Sequence, residues 1–105
     1  MRPGELVPRL SRDLAEVRAA PADAHLEKDE PANLTQLRGM KLVEIEAALG
    51  TPDCGPGGPR PCFEGAALEY EFFRLPPGYM GGGRTLLVYA DSLGRCTDAR
   101  WIFTE

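Results

Sequence analysis

The sequence predicts a two-layer α+β fold in which two short helices pack on a three-stranded antiparallel β-meander, with an extra helix at the N-terminus. Apolar residues recur at helical spacing in the N-terminal half, and they alternate with polar residues in the C-terminal half. Turn residues separate the alternating segments from one another. Helices that precede so small a sheet would cover its apolar face, which gives the two layers.

The first helix is predicted to end at Pro21, and its apolar stripe consists of Leu6, Leu10, Leu14 and Val17. Residues 21–33 are rich in Pro, Asp and Glu, a composition that predicts an exposed acidic connector. We therefore divide the chain into residues 1–32, an N-terminal amphipathic helix with its connector, and residues 33–105, an α+β domain. The stripe is consistent with three arrangements of the helix. It can pack on the sheet, exchange with a second copy in a homo-oligomer, or follow an export segment.

Two short helices are expected next. Asn33 or Thr35 can cap a helical turn that ends at Gly39. The second helix covers residues 40–49, and the apolar residues of its inner face are Leu42, Ile45 and Leu49.

Residues 53–65 form a loop rich in Gly and Pro, after which three strands are predicted at residues 67–75, 84–91 and 95–105. In the first strand the alternation places Glu69, Glu71 and Phe73 on the outer face, opposite Leu68, Tyr70 and Phe72. The last strand alternates likewise, with Cys96, Asp98, Arg100 and Ile102 opposite Thr97, Ala99, Trp101 and Phe103.

Composition limits the functional classes. The chain has 105 residues with 12 Lys or Arg and 16 Asp or Glu, which gives a net charge of −4. One domain of this size excludes a large multi-domain enzyme, and an acidic balance argues against a nucleic-acid partner. No run of apolar residues is long enough to span a membrane.

Cys54 and Cys62 enclose seven residues, mostly Gly and Pro, which lets the two sulfurs meet in a disulfide. The alternative is a pair of reduced structural thiols. Cys96 is left unpaired and is expected at a strand end, at the surface or half-buried. A metal site would have to recruit Cys96 and His25, so neither a metal nor another cofactor is predicted.

Two other features invite a catalytic interpretation. Glu69 and Glu71 could serve as an acid and base pair, but a solvated strand face is the favoured interpretation, with Arg100 or Arg84 as cross-strand partners. Residues 81–83 are three consecutive glycines before a strand, whereas a phosphate loop needs a helix start, so they predict a hairpin turn. The chain is therefore not expected to be an enzyme.

Residues 34–54, followed by three strands, resemble the BamE/SmpA/OmlA-type envelope domain and the repeats of β-lactamase inhibitor proteins. The resemblance covers residues 33–105 and is carried by Leu37, Gly39, Met40, the Leu49-Gly50-Thr51-Pro52 end, Asp91 and Gly94. Lys41 stands where the family usually has Thr or Ser as a helix cap, and no lipobox cysteine lies near the start. The Cys54 and Cys62 pair is closer to the inhibitor-type repeat, in which a disulfide closes the same loop.

The resemblance implies a non-catalytic module of the bacterial cell envelope that binds another protein, in outer-membrane assembly or lipoprotein scaffolding. We expect the contact surface to comprise Glu69, Glu71, Phe73, Asp98 and Arg100 on the sheet and Tyr79 on a loop. The alternative is an inhibitor or immunity-type protein that blocks an enzyme. The expected location is the periplasm or the periphery of the outer membrane if an export signal was removed, and the cytoplasm if Met1 is the true start.

Overall fold

The computed structural model describes residues 4–104 and confirms the α+β class. Two α-helices and two antiparallel sheets make up the fold. In chain order the elements are α1 (Leu6–Ala19), β1 (Leu26–Glu27), α2 (Leu42–Leu49), β2 (Leu68–Glu71), β3 (Phe73–Arg74), β4 (Arg84–Ala90) and β5 (Cys96–Phe103), with 3₁₀ turns at Leu34–Leu37 and Phe63–Gly65.

The larger sheet has three antiparallel strands in the order β2-β4-β5. Its register aligns Tyr70 with Leu86 and Leu86 with Trp101, so these three side chains lie on one face. That inner face meets the helices, and Leu68, Tyr70 and Phe72 are each 0% exposed there. The alternation in the first strand therefore identifies the core face correctly.

The smaller sheet was not predicted. Within the expected connector, Leu26 pairs with Arg74 and Glu27 pairs with Phe73. The backbone N–H of Lys28 also donates to the carbonyl of Phe72, at 3.0 Å. A two-residue strand has no periodicity to detect, and pairing along the edge of β3 is what orders this segment.

Helix α1 belongs to the main core. The side chains of its stripe are between 1% and 3% exposed, and Leu6, Leu10 and Leu14 share one buried cluster with residues of α2 and the sheet. The guanidinium of Arg74 donates to the carbonyls of Val17 and Arg18, which holds the C-terminal end of α1 against β3. The stripe is therefore covered by other parts of the same chain.

The first of the two expected short helices is a single 3₁₀ turn, Leu34–Leu37, and Gly39 follows it at φ 89°. Backbone bonds of Gly39 and Met40 to Cys96 fix this turn beside β5. Helix α2 begins at Leu42, and the backbone N–H of Lys41 donates to the side chain of Glu44 at 2.9 Å. Glu44 thus supplies a hydrogen bond at a helix start that lacks the usual Thr or Ser cap.

Strand β5 departs from simple alternation at its start. Tyr89 pairs with Asp98 but Ala90 pairs with Cys96, so Thr97 is an extra residue in a β-bulge. The bulge turns Cys96 onto the same side as Ala99, where its side chain is 3% exposed in the core. The prediction that Cys96 lies at the surface or half-buried, on the side of Asp98, is therefore wrong.

Leu10→Ala tests whether α1 is part of the folding unit. We expect the free energy of unfolding to fall by about 2 to 5 kcal/mol, because the substitution opens a cavity in the common core. Urea denaturation measures this loss. Val43→Ala is the matched control, since Val43 is 69% exposed, and it should change stability by less than about 0.5 kcal/mol. Equal stability of Leu10→Ala and the native chain would mean that α1 is a detachable arm.

Candidate functional site

The loop of residues 53–65 folds over the outer face of the larger sheet. Cys54 and Cys62 have their sulfur atoms at disulfide distance, with 5.6 Å between their Cα atoms, as the sequence predicts. Cys54 also pairs with Glu69 as an isolated bridge at the free edge of β2. A disulfide closing so short a loop contributes about 2.5 kcal/mol in the loop-entropy model. The loop is thus fixed both to itself and to β2.

This loop buries Glu69, which is 2% exposed. The Arg60 guanidinium donates to its carboxylate at 2.6 Å, and the backbone N–H of Phe63 donates at 3.0 Å. Burial alone would raise the pKa of Glu69, but the hydrogen bonds from Arg60 and Phe63 outweigh it and lower the pKa. The expectation that Glu69 lies on a solvated face is wrong, because alternation reveals the face of a strand but not what covers it.

Asp98 and Arg100 lie on β5, the strand at the far edge of the sheet from β2. Asp98 accepts a hydrogen bond from Arg38 at 3.2 Å, and this bond is the main cause of its lowered pKa. The guanidinium of Arg100 lies 3.9 Å from Glu64 and 5.2 Å from the centre of the Tyr89 ring. These two predicted residues are exposed in part, and β4 separates their strand from β2.

Glu71, Phe73 and Tyr79, the other three predicted residues, meet around a cleft of about 390 Å³. One wall is the C-terminal end of α1, with Val17 and Arg18. The rest of the lining comes from three other stretches of chain and consists of Asp53, Glu71, Phe73, Arg74, Leu75, Pro76, Tyr79 and Gly81. The structure thus collects half of the predicted contact residues into one concave surface, which we call the α1 cleft.

Both arginines of the α1 cleft have partners within the fold. Arg18 donates to the carbonyl of Thr51 at 2.6 Å and lies 3.5 Å from the carboxylate of Asp53. Arg74 donates to the last carbonyls of α1, the shortest of these bonds being 3.0 Å. A cation at a helix C-terminus is favoured by the helix dipole, so Arg74 is well placed as a structural residue.

The carboxylate of Glu71 differs from the other charges. Its backbone N–H donates to Asp53 at 2.7 Å, but its side chain makes no hydrogen bond or salt bridge with any residue that the structure describes. Burial raises the pKa of Glu71, the charges of Asp53 and Glu69 raise it further, and Arg60 and Arg18 only partly oppose them. The fold therefore holds a half-buried carboxylate in an unfavourable environment.

The aromatic residues at the α1 cleft have different surroundings. Phe73 lies directly on Gly83, where an added Cβ would come within 2.5 Å of the Phe73 ring, so part of its side chain is packed. Tyr79 is 57% exposed, and its ring packs against His25 with 5.3 Å between centroids and 46° between the ring planes. Met80 follows at 91% exposure. Tyr79 and Met80 therefore form an exposed apolar tip beside the cleft.

Sequence reasoning missed Arg18, Asp53 and Arg74, which complete the cleft, and Arg60, which neutralises Glu69. Arg18 lies in α1, Arg74 in β3, and Asp53 and Arg60 in the loop of residues 53–65, and no local spacing connects these three segments. For Arg60 the sequence does contain an indication, because it is the only charged residue between Cys54 and Cys62. A loop closed by these cysteines holds that cation close to the surface that the loop covers, where it pairs with Glu69.

The cysteines offer little reactive chemistry. Burial raises the pKa of the Cys96 thiol, which donates to the carbonyl of Asp98 at 3.3 Å, so little reactive thiolate forms. Among the described residues, Cys54, Cys62 and Glu69 are close enough together to hold a metal ion. Their two sulfurs are at disulfide distance and the carboxylate is bound by Arg60, so these atoms are already engaged.

None of the helices in the described range is both long and apolar enough to cross a membrane. Comparison with known proteins gives no match: no family model, curated protein or solved structure is significantly similar to this chain.

Arg60→Met tests the neutralisation of Glu69 through its pH dependence. The pKa of Glu69 is lowered in the folded chain, so the stabilisation exists above the unfolded value of about 4.3 and is lost as pH falls through the folded value. We expect the stability difference between native and variant chains to be largest near neutral pH and to shrink below about pH 4. Thermal unfolding across pH measures it.

Arg12→Met is the matched control, because Arg12 is exposed on α1. Its replacement should change the stability of the chain only slightly, and by the same amount at every pH. A loss of stability that is the same at every pH in Arg60→Met would show that Arg60 acts through packing alone.

Proposed function

We propose that this chain is a non-catalytic protein-binding domain that contacts its partner around the α1 cleft. The observation that carries the proposal is the exposed tip beside the cleft, where Tyr79 and Met80 are 57% and 91% exposed. Large apolar side chains that remain in water next to a concave surface are typical of interaction sites. Glu71 and Phe73 extend the same surface into the cleft.

The engagement of the reactive groups supports a role without catalysis. Glu69 is bound by Arg60 and so does not form a free acid and base pair with Glu71. Cys96 is buried, which raises the pKa of its thiol, and the ring of His25 packs at a tilt against Tyr79. These contacts leave the candidate nucleophile and the candidate carboxylate pair without the partners that such chemistry needs.

Within this proposal the setting is the bacterial cell envelope. It is supported by the resemblance of residues 33–105 to BamE-type domains and by the position of Cys54 and Cys62 at disulfide distance. Disulfides persist in oxidising compartments such as the periplasm. The role that follows is to hold another envelope protein in an assembly.

A second candidate is an inhibitor that blocks an enzyme. The exposed tip favours it too, since Tyr79 and Met80 project from a loop rich in glycine and could enter an active site. The two candidates differ in the identity of the partner, which is an assembly component in one and a hydrolase in the other.

A photocrosslinking benzophenone amino acid in place of Met80 tests the binding surface in the native cell. We expect one discrete protein adduct, and we expect Tyr79→Ser in the same chain to reduce its yield about tenfold, because an exposed aromatic anchor is lost. The identity of the adduct separates the assembly role from the inhibitor role.

The matched control places the same amino acid at Leu93, which is 81% exposed in the turn at the opposite end of β4. An adduct of equal yield from position 93, or one that does not depend on Tyr79, would contradict binding around the α1 cleft.

Thiol trapping tests the compartment. Lysis of native cells directly into denaturant that contains an alkylating agent, followed by mass measurement, should modify only Cys96, with Cys54 and Cys62 modified only after reduction. Three alkylated cysteines without reductant would rule out the envelope setting while leaving the binding surface unaffected.

A further inference from the structure

We propose that the α1 cleft receives a cationic side chain, an arginine or lysine of the partner protein, and that Glu71 is the residue that pairs with it. This inference rests on the proposed function and adds the chemistry of the partner. It follows from the charges of the cleft, from its aromatic walls and from its size.

The charges of the α1 cleft are satisfied at every position except one. Arg18 is bound to Thr51 and Asp53, and Arg74 is bound to the end of α1. The side chain of Glu71 has no hydrogen bond or salt bridge in the described part of the chain. An incoming cation would remove the cost of a half-buried, unpaired carboxylate, so the complementary ligand carries a positive charge.

The walls of the cleft suit a cation on an alkyl stem. Phe73 and Tyr79 line it, and aromatic ring faces attract guanidinium and ammonium groups. Leu75 and Pro76 add apolar surface against which the methylene groups of an arginine or lysine can pack. A volume of about 390 Å³ is within the usual range of about 300 to 1,000 Å³ for ligand sites.

An anion is the opposite possibility, because Arg18 and Arg74 also line the cleft. Both guanidinium groups already donate to protein oxygens, and an anion would have to lie near the carboxylates of Asp53 and Glu71. Among the described residues of the cleft, the one unpaired charged group is the carboxylate of Glu71, which is negative, so the ligand carries a positive charge. Binding of phosphate is accordingly an outcome that the experiment includes.

Protonation of Glu71 should oppose binding. The charged groups that act on this carboxylate are Asp53, Glu69, Arg60 and Arg18, and Arg74 lines the same cleft. The raised pKa of Glu71 means that its charge is lost at a higher pH than for an exposed glutamate, whose value is about 4.3. Affinity for a cation should therefore decrease as the pH falls through that raised value.

Titration of the full chain by amide NMR with the capped peptide acetyl-Gly-Arg-Gly-amide tests the inference. We expect saturable shifts at Glu71, Phe73, Arg74 and Tyr79, and no saturable shift with the citrulline peptide of the same shape. Glu71→Gln should weaken binding about tenfold or more, because a charge-assisted hydrogen bond is lost. Glu30→Gln, an exposed carboxylate of the connector, is the matched control and should bind normally.

Stability separates a binding defect from a folding defect. Glu71→Gln removes an unpaired carboxylate, so its melting temperature should equal or exceed that of the native chain, and weaker binding then reports the loss of the charge. Equal binding of the arginine and citrulline peptides would overturn the inference, as would unchanged affinity in Glu71→Gln. Shifts of the cleft amides by inorganic phosphate and not by the arginine peptide would also overturn it.

The two proposals fail in different ways. If the benzophenone at position 80 gives its Tyr79-dependent adduct while the arginine peptide does not bind, only the cationic ligand is wrong. If the peptide binds at Glu71 but no such adduct forms, the partner surface around Tyr79 and Met80 is wrong and the cation site stands.

Discussion

Glu69 places a carboxylate in the covered outer face of the three-stranded sheet, where an unpaired charge would be very costly. Arg60 and the backbone of Phe63 remove that cost, and both belong to the loop of residues 53–65. The loop can supply them only if it lies across the sheet, and the Cys54–Cys62 pair limits how far it can move away. The placement of this loop therefore depends on satisfying one buried charge.

The position of the loop has a further effect at the other end of β2. As the chain leaves α2 and enters the loop, Asp53 accepts the backbone N–H of Glu71 and lies beside Arg18 of α1. The same segment thus covers the sheet on one side and completes the α1 cleft on the other. Asp53 carries the same negative charge as Glu71, so it cannot neutralise that carboxylate and instead contributes to its raised pKa.

Elements with strong periodicity could be predicted from the sequence, and elements made by tertiary contacts could not. Two sets of apolar residues have the spacing of a buried helix stripe and of a buried strand face, and the structure places both in the core. They are Leu6, Leu10, Leu14 and Val17 in α1, and Leu68, Tyr70 and Phe72 in the sheet. The strand Leu26–Glu27 and the bulge at Thr97 cannot be detected from hydrophobic spacing, because each exists through pairing with a distant partner.

The residues of the candidate site also divide into those that local patterns predict and those that only the fold brings together. Glu71, Phe73 and Tyr79 could be predicted as outward residues, whereas Arg18, Asp53 and Arg74 join them only through the fold.

The α1 cleft is assembled from residues 17–18, residue 53 and residues within 71–81, three regions that are far apart in sequence. An unfolded chain has no such surface, so any molecule that binds the cleft binds the native state alone. By thermodynamic linkage, each tenfold excess of free partner over its dissociation constant adds about 1.4 kcal/mol to the stability of the fold. A domain of this size has a modest core, so occupancy of the cleft would form a substantial part of what keeps it folded in the cell.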